Sequence, residues 1–191
     1  SYGLFNKEIN NLKIAKNLFT LSIKKYPLFI RPYLLLSEIL SQESNFKEAL
    51  KILFLAKEIE QNNSDVDYNL SILHKKNKRY KEALNYINNA LIISPRNEIY
   101  KILKADVLID NFQNQEAEQI LGNLILDKNS NLYFKKELLF SRIFINQRNY
   151  VKAENTLLKL KTLFNNQAIL FLNLSNLYFN NKEIDKGIKV S

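Results

Sequence analysis

Cysteine, methionine and tryptophan are all absent from this 191-residue chain, which also has only three glycines, three prolines and one histidine. Without cysteine, a disulfide framework, a thiolate metal site and thiol catalysis are excluded. So little glycine and proline leaves few residues for the tight turns of a β-sheet protein. Leu, Ile, Lys, Asn and Glu dominate instead, which favours helices joined by short turns. The sequence therefore predicts an all-α protein.

Long apolar runs and clustered charge are missing too. The formal net charge is +9, and the excess is spread over both halves of the chain without a basic stripe, so we expect solvated helix faces and no nucleic-acid partner. Arg31 interrupts one apolar stretch, and Asn173 and Asn176 interrupt another, so no segment reaches the roughly 18 apolar residues of a membrane span. Because the lack of cysteine fits reducing and oxidising compartments alike, the localisation stays open.

Small residues recur at a fixed spacing along the whole chain. The intervals are 34, 34, 34, 36 and 34 residues, and twelve positions after each member comes a second small residue. A period of this length indicates stacked units, none of which can bury its apolar face alone. The first series is Gly3, Ser37, Ser71, Ala105, Ser141 and Ser175, and the second is Ala15, Ala49, Ala83, Ala117, Ala153 and Gly187.

Within each unit the apolar residues follow the helical period and predict two amphipathic helices of about 13 residues. In one unit we expect helices over 64–76 and 80–93, with Pro95 ending the second because proline cannot continue a helix. The 36-residue step is expected to insert two residues in a loop around 129–133. The other predicted pairs are 30–43 with 46–59, 98–111 with 114–126, 134–147 with 150–163, and 168–181 with 184–191.

The segment RYKEALNYINNALIISP, residues 79–95, resembles the tetratricopeptide repeat, a helix-turn-helix unit of 34 residues. In that family a small residue of the first helix meets an alanine of the second, here Ser71 and Ala83. A second alanine, Ala90, packs on the next repeat, and a proline, Pro95, ends the unit. The resemblance implies an all-α, right-handed α-solenoid of antiparallel helix pairs.

Six such repeats cover the chain as a single array. Both ends fall inside a repeat and methionine is absent, so we expect a fragment of a longer protein. The chain departs from the family where Asp67, Lys101 and Glu137 replace a large aromatic residue of the first helix. The expected repeats are 1–29 (partial), 30–63, 64–97, 98–131, 134–167 and 168–191 (partial).

Few residues could support catalysis or bind a cofactor. His74 takes a first-helix position that holds leucine or an aromatic residue in other repeats, so we expect it to pack in the core. Asp106 and Asp110 lie one turn apart and could face a metal, but such acidic pairs are common on exposed helices. The three glycines are isolated, which excludes a glycine-rich phosphate loop. We therefore expect no enzymatic activity, no metal and no cofactor.

The resemblance implies that the first helices line a concave groove that binds the partner. An apolar thread of isoleucine and phenylalanine runs there between charged and amide side chains, which suits an amphipathic helix or an extended apolar peptide. The carboxylate clamp of the family's chaperone-binding members is missing, since Leu34, Glu38 and Ile99 occupy its positions. The expected groove residues are Arg31, Glu38, Ile72, Lys75, Lys76, Ile99, Asp106, Ile109, Lys135, Arg142, Ile145, Ile169, Asn176 and Phe179.

The function expected from the sequence is a non-enzymatic scaffold that holds another protein within a larger assembly. One alternative is the regulatory or substrate-presenting arm of an enzyme whose catalytic domain lies outside this sequence, and another is a homo-oligomer formed by stacking ends. Some groove side chains could instead be core between neighbouring first helices. If Ile109 and Ile145 face the groove, lysine at either should leave the melting temperature nearly unchanged. The basic run 74–81 is a further candidate contact, for an acidic partner or anionic lipid head groups.

Overall fold

The structure is a computed structural model that describes residues 12–164 and 168–181. The described residues form two compact units that divide between Asn97 and Glu98, at a predicted repeat boundary. The single array across 1–191 stays a prediction. None of the helices in these ranges is long enough and apolar enough to cross a lipid bilayer.

The first unit contains two complete helix pairs of the predicted repeats. Its described helices are α1 (Leu12–Lys25), α2 (Ile30–Gln42), α3 (Phe46–Ile59), α4 (Ser64–Lys76) and α5 (Tyr80–Ile93). Helix α2 packs against α3, α4 packs against α5, and the first helices α2 and α4 also contact each other. Asn45 and Asn63 begin α3 and α4, since the side-chain oxygen of each accepts a hydrogen bond from a backbone N–H of the first turn.

The second unit repeats this arrangement. Its described helices are α6 (Glu98–Asp110), α7 (Asn114–Gly122), α8 (Asn131–Asn146), α9 (Tyr150–Leu163) and α10 (Ala168–Asn180). Helix α6 packs against α7 and α8 against α9, while α6 contacts α8 and α9 contacts α10. Each unit is thus a stack of antiparallel helix pairs, and the predicted all-α solenoid is confirmed.

The connection between α7 and α8 differs from the prediction. Helix α7 ends at Gly122 instead of near residue 126, and α8 begins at Asn131 instead of residue 134. Glycine is a poor helix former, which favours the early end of α7. The Ser130 hydroxyl accepts a hydrogen bond from the Tyr133 backbone N–H at 3.1 Å, which caps α8 early. The insertion is therefore not confined to a loop as expected, because residues 131–133 belong to the first turn of α8 and α7 is shortened.

The recurring small residues are buried wherever the structure describes them. Ser71 of α4 and Ala83 of α5 are both 0% exposed. Small volume is required because helix axes approach to about 8 Å only where no large side chain intervenes. Gly3, Gly187 and the helix expected over 184–191 lie outside the described residues. The other buried members are Ala15, Ser37, Ala49, Ala105, Ala117, Ser141, Ala153 and Ser175.

One core position of the first unit holds a charge. Asp67 of α4 is 1% exposed, and the Lys57 ammonium of α3 binds its Oδ1 atom at 2.6 Å.

His74 lies on the same helix and is buried. Its ring stacks on Tyr86 of α5, with the ring centroids 5.2 Å apart. Burial lowers the pKa of His74, which favours the neutral imidazole near neutral pH. His74 is a packing residue, as predicted.

In the turns between the two helices of a repeat, residues other than glycine adopt a left-handed backbone conformation. Ser44, Lys78, Phe112 and Arg148 have φ of 59°, 58°, 61° and 58°. This region is disfavoured for residues with a side chain, and most for bulky ones. Phe112 is the bulkiest of the four, and its side chain is 82% exposed.

Candidate functional site

The first unit contains a cavity of about 320 Å³ between the first helices α2 and α4. Three predicted groove residues, Glu38, Ile72 and Lys76, lie in its wall. We call it the first cavity. Its lining is Ser37, Glu38, Ser41, Leu53, Tyr68, Asn69, Ile72, Leu73 and Lys76.

Polar groups of the first cavity are held by neighbouring helices. The Lys76 ammonium donates to the Ser41 hydroxyl at 3.1 Å, which links α4 to α2. Asn69 donates its amide to the Asp65 carbonyl one turn earlier, at 2.7 Å. Burial raises the pKa of Tyr68, and the Asp65 carboxylate raises it further, so the phenol stays protonated near neutral pH. The cavity therefore joins an apolar lining to a cation, a carboxylate and neutral hydrogen-bonding groups.

The second unit has a smaller cavity of about 210 Å³ between its first helices α6 and α8. We call it the second cavity. Arg142 and Asn146 occupy the repeat positions that Ile72 and Lys76 hold in the first unit, so the two cavities form at the same place in the repeat. Its lining is Ile109, Asp110, Phe112, Arg142, Ile145 and Asn146.

Arg142 of α8 binds two carboxylates of α6. Its Nη1 donates to Asp106 Oδ1 at 2.5 Å, and its Nη2 donates to Asp110 Oδ1. Burial disfavours the charged guanidinium, but the two carboxylates outweigh burial and raise the pKa of Arg142. The acidic pair considered as a metal site therefore holds an arginine. Across the described ranges, no three His, Cys, Asp or Glu side chains are grouped to hold a metal ion.

Ile109 is buried, so the expectation that it exposes its side chain to the groove is wrong. It is 2% exposed, because α6 packs against both α7 and α8 and leaves this residue between helices. It reaches only the inner wall of the second cavity. Lysine at this position would bury an ammonium and should unfold the unit. Ile145 is half-buried and keeps its predicted place in the cavity wall.

The other predicted groove residues lie outside these two linings. In the first unit, Arg31 is exposed in the first turn of α2, and Lys75 is half-buried on α4. In the second unit, Asp106 is half-buried in its ion pair with Arg142. The exposed remainder is Ile99, Lys135, Ile169, Asn176 and Phe179.

Several cavity residues are missing from the sequence-based set. Leu53 belongs to a second helix, α3, yet it reaches the first cavity. Tyr68 and Asn69 lie on α4 and line the first cavity, but they are not among the positions of this helix that we expected to face the groove. Phe112 lies in a turn, and its signal was an aromatic residue at a position that is polar in the other turns.

Comparisons with known proteins identify the fold. No family model matches the sequence, and no curated protein matches it. A solved tetratricopeptide repeat protein from Parabacteroides merdae is similar, with a TM-score of 0.78 at 19% identity over 99% of this chain and 74% of that one. PilW, a widely conserved type IV pilus biogenesis factor, gives a TM-score of 0.83 at 15% identity over 99% of this chain and 87% of its own.

A third similar structure is YrrB, a TPR protein with an unusual peptide-binding site. Its TM-score is 0.60 at 20% identity, over 90% of this chain and 88% of YrrB. At such low identities the likeness concerns the fold alone. The helix pairing, the buried small residues and these structures agree, and the chain therefore has the tetratricopeptide-repeat fold.

Proposed function

We propose that the chain is a non-enzymatic scaffold that binds a segment of another protein along its first helices, within a larger assembly. The observation that carries the proposal is the pair of cavities at one position of the repeat, each lined by apolar side chains beside charged ones. Volumes of about 320 and 210 Å³ lie at or below the lower end for small-molecule sites, about 300–1,000 Å³. They suit anchoring side chains of a peptide or helix better than a cofactor.

The two linings favour different anchors. In the first cavity, Glu38 and Lys76 bring opposite charges to a lining that includes Ile72 and Tyr68, which suits a segment with an apolar residue beside polar ones. In the second cavity Arg142 is already paired with two aspartates, which leaves one negative charge in excess. Its apolar lining of Ile109, Phe112 and Ile145 therefore suits an apolar anchor beside a basic or uncharged residue.

Two further observations support a binding role over catalysis. His74, the single histidine of the chain, is buried against Tyr86, where a substrate from solvent cannot reach it. A general base must lie within hydrogen-bond reach of the proton it takes, and the buried His74 offers no such access from solvent. The peptide-binding site of YrrB, a protein with the same fold, supports a peptide partner for this chain.

The test uses Phe112, which lines the second cavity yet is 82% exposed. Serine is accepted at this turn position, since Ser44 has the same left-handed backbone in the first unit. Phe112→Ser should therefore keep the fold and weaken partner binding by about thirtyfold, the effect of losing about 2 kcal/mol at a central contact. Partners captured from source-cell lysate by wild-type and variant baits are quantified by mass spectrometry.

The matched control is Ile125→Ser, because Ile125 is 94% exposed in the same unit and lies outside the cavity. We expect this bait to retain the wild-type partners. If Phe112→Ser stays folded and captures every wild-type partner at wild-type levels, the binding face is elsewhere and the proposal is wrong.

A further inference from the structure

The turn between α1 and α2 exposes four apolar residues in a row. Tyr26, Pro27, Leu28 and Phe29 are all exposed, with 55% for Tyr26, 77% for Leu28 and 58% for Phe29. Single exposed apolar side chains are ordinary on a protein surface, whereas contiguous ones mark contact sites. We call these four residues the apolar turn.

The fold does not require apolar residues at this place. The Phe29 backbone N–H donates to the Tyr26 carbonyl at 3.1 Å, and the turn over 94–97 closes with the same bond at the same length. The corresponding turns of the first unit are polar, with Glu-Gln-Asn-Asn over 60–63 and Ser-Pro-Arg-Asn over 94–97. The same backbone hydrogen bond thus closes a turn with polar side chains at 94–97 and one with apolar side chains at 26–29.

Phe29 also replaces a helix cap. At the corresponding position Asn63 accepts hydrogen bonds from the backbone N–H groups of Asp65 and Val66, at 3.0 and 3.1 Å. The Phe29 side chain makes no such bond at the start of α2. Because a capping side chain stabilises a helix, an exposed aromatic here lowers the stability of the fold. Capping of α2 therefore does not account for an aromatic residue at this position.

The backbone of the apolar turn is anchored to the buried part of α2. Tyr33, buried in α2, donates its hydroxyl to the Pro27 carbonyl at 2.8 Å. Proline also suits the second position of a tight turn because its φ is already set. The backbone that carries the four side chains is therefore fixed by a hydrogen bond from the buried Tyr33 and by the ring of Pro27.

The sequence that flanks the apolar turn carries charge of one sign. Residues 12–37 contain five basic side chains and no acidic one. Lys16 pairs with Glu43 at 2.5 Å, while the other basic residues of this stretch are exposed. The Lys25 ammonium lies 5.4 Å from the centroid of the Tyr26 ring. The five residues are Lys13, Lys16, Lys24, Lys25 and Arg31.

We propose that the apolar turn docks this protein on an anionic lipid surface. Leu28 and Phe29 enter the boundary between head groups and acyl chains, and Tyr26 lies at head-group depth, where aromatic side chains are favoured. Lys24, Lys25 and Arg31 meet the anionic head groups.

The apolar turn suits an anionic lipid surface better than the other basic segment of the first unit does, because it combines basic charge with exposed apolar side chains. Within residues 78–81, Lys78, Arg79 and Lys81 are exposed, but no large apolar side chain is. A single apolar insertion gives only marginal membrane binding, and stable anchoring takes a second signal such as a basic patch. The apolar turn combines both, and it is separate from the cavities of the proposed groove.

Because the chain contains no tryptophan, the fluorescence of a single introduced tryptophan can be followed without background. Leu28→Trp places a single indole in the turn, and Ile125→Trp places one at a 94% exposed site of the second unit. Both are titrated with vesicles of phosphatidylcholine and of phosphatidylcholine containing about one-third phosphatidylglycerol. We expect a blue shift and quenching by brominated lipid for Leu28→Trp with the anionic vesicles alone, reversed by salt. Ile125→Trp should show neither.

Co-sedimentation of the tryptophan-free chain with the same anionic vesicles gives the affinity. The double variant Leu28→Ser with Phe29→Ser should lower the partition coefficient about tenfold or more, since two apolar side chains leave the lipid. Ile125→Ser should stay within about twofold of wild type. Circular dichroism checks that each variant is folded.

Four results would overturn the proposal. The wild-type chain could fail to sediment with anionic vesicles, the folded double variant could sediment as wild type does, or Ile125→Ser could lose binding equally. A soluble protein captured through the turn without vesicle binding would assign the turn to a protein partner, and it would also overturn the lipid proposal. Because the groove variants are not used, failure here leaves the proposed scaffold function untouched.

Discussion

Replacing Lys57 with methionine leaves the Asp67 carboxylate buried without its cation. The Asp67 side chain is 1% exposed, and the Lys57 ammonium 2.6 Å from its Oδ1 atom is its salt-bridge partner. Methionine keeps most of the length and packing of lysine but removes the charge. The variant therefore measures the ion pair rather than the contact area.

The magnitude follows from the burial of each partner. Removing one member of a fully buried pair costs about 3–5 kcal/mol, whereas an exposed pair contributes about 0–1 kcal/mol. The Lys57 side chain is 27% exposed, so part of its charge is screened by water. We expect Lys57→Met to lower the free energy of unfolding by about 2–3 kcal/mol. Adding Asp67→Leu removes the orphaned charge and should return the chain to within about 1 kcal/mol of wild type.

Urea unfolding followed by circular dichroism measures these differences. Lys51→Met is the matched control, because this lysine lies on the same helix with a side chain 68% exposed and 3.7 Å from Glu48. The control should change stability by less than about 0.5 kcal/mol. The ion pair does not contribute as described if Lys57→Met behaves like the control, or if the double variant loses as much stability as its two single variants together.

Three more predictions concern stability. Ala83→Leu overpacks a position that is 0% exposed and should lower the free energy of unfolding by about 1–3 kcal/mol, while the exposed Lys81→Leu on the same helix should not, as urea melts will show. Burial lowers the pKa of His74 below 6.5, so its contribution to stability is complete above that pH and is lost as the pH falls further; the melting temperature should fall more from about pH 7 to about pH 5 in wild type than in His74→Phe. Phe112→Gly relieves a left-handed backbone at φ 61° and should raise the unfolding free energy by about 0.5–1 kcal/mol, whereas no gain or a loss would show that the turn is unstrained.

The repeat frame was predictable from the sequence because a local property sets it. Only small side chains allow two helices to approach closely, so Ser71 and Ala83 mark a crossing wherever they recur. The predicted helices over 64–76 and 80–93 match α4 and α5 residue for residue. The end of α7 was not predictable from the same frame, because Gly122 and the Ser130 cap act against the repeat pattern locally.

The candidate site was less predictable, since exposure depends on neighbours that periodicity does not identify. Ile109 and Ile145 occupy corresponding faces of α6 and α8, yet Ile109 is buried between packed helices and Ile145 is half-buried. The pairing of Arg142 with Asp106 could have been predicted from the sequence, because the two residues hold the same position in consecutive repeats and carry opposite charges. Asp67 was recognised as a departure from the family pattern, but its burial against Lys57 was not predictable from that pattern.

Photo-cross-linking in the cell tests whether a partner binds along the first helices. A benzophenone amino acid replaces Tyr68, which lines the first cavity, or Ile92, which is 79% exposed on the second helix α5. Both chains are expressed in the source cell and irradiated, and adducts are identified by mass. We predict a protein adduct from position 68 and none from position 92. No adduct at position 68, or the same adduct at both positions, would contradict the assignment of the groove as the binding surface.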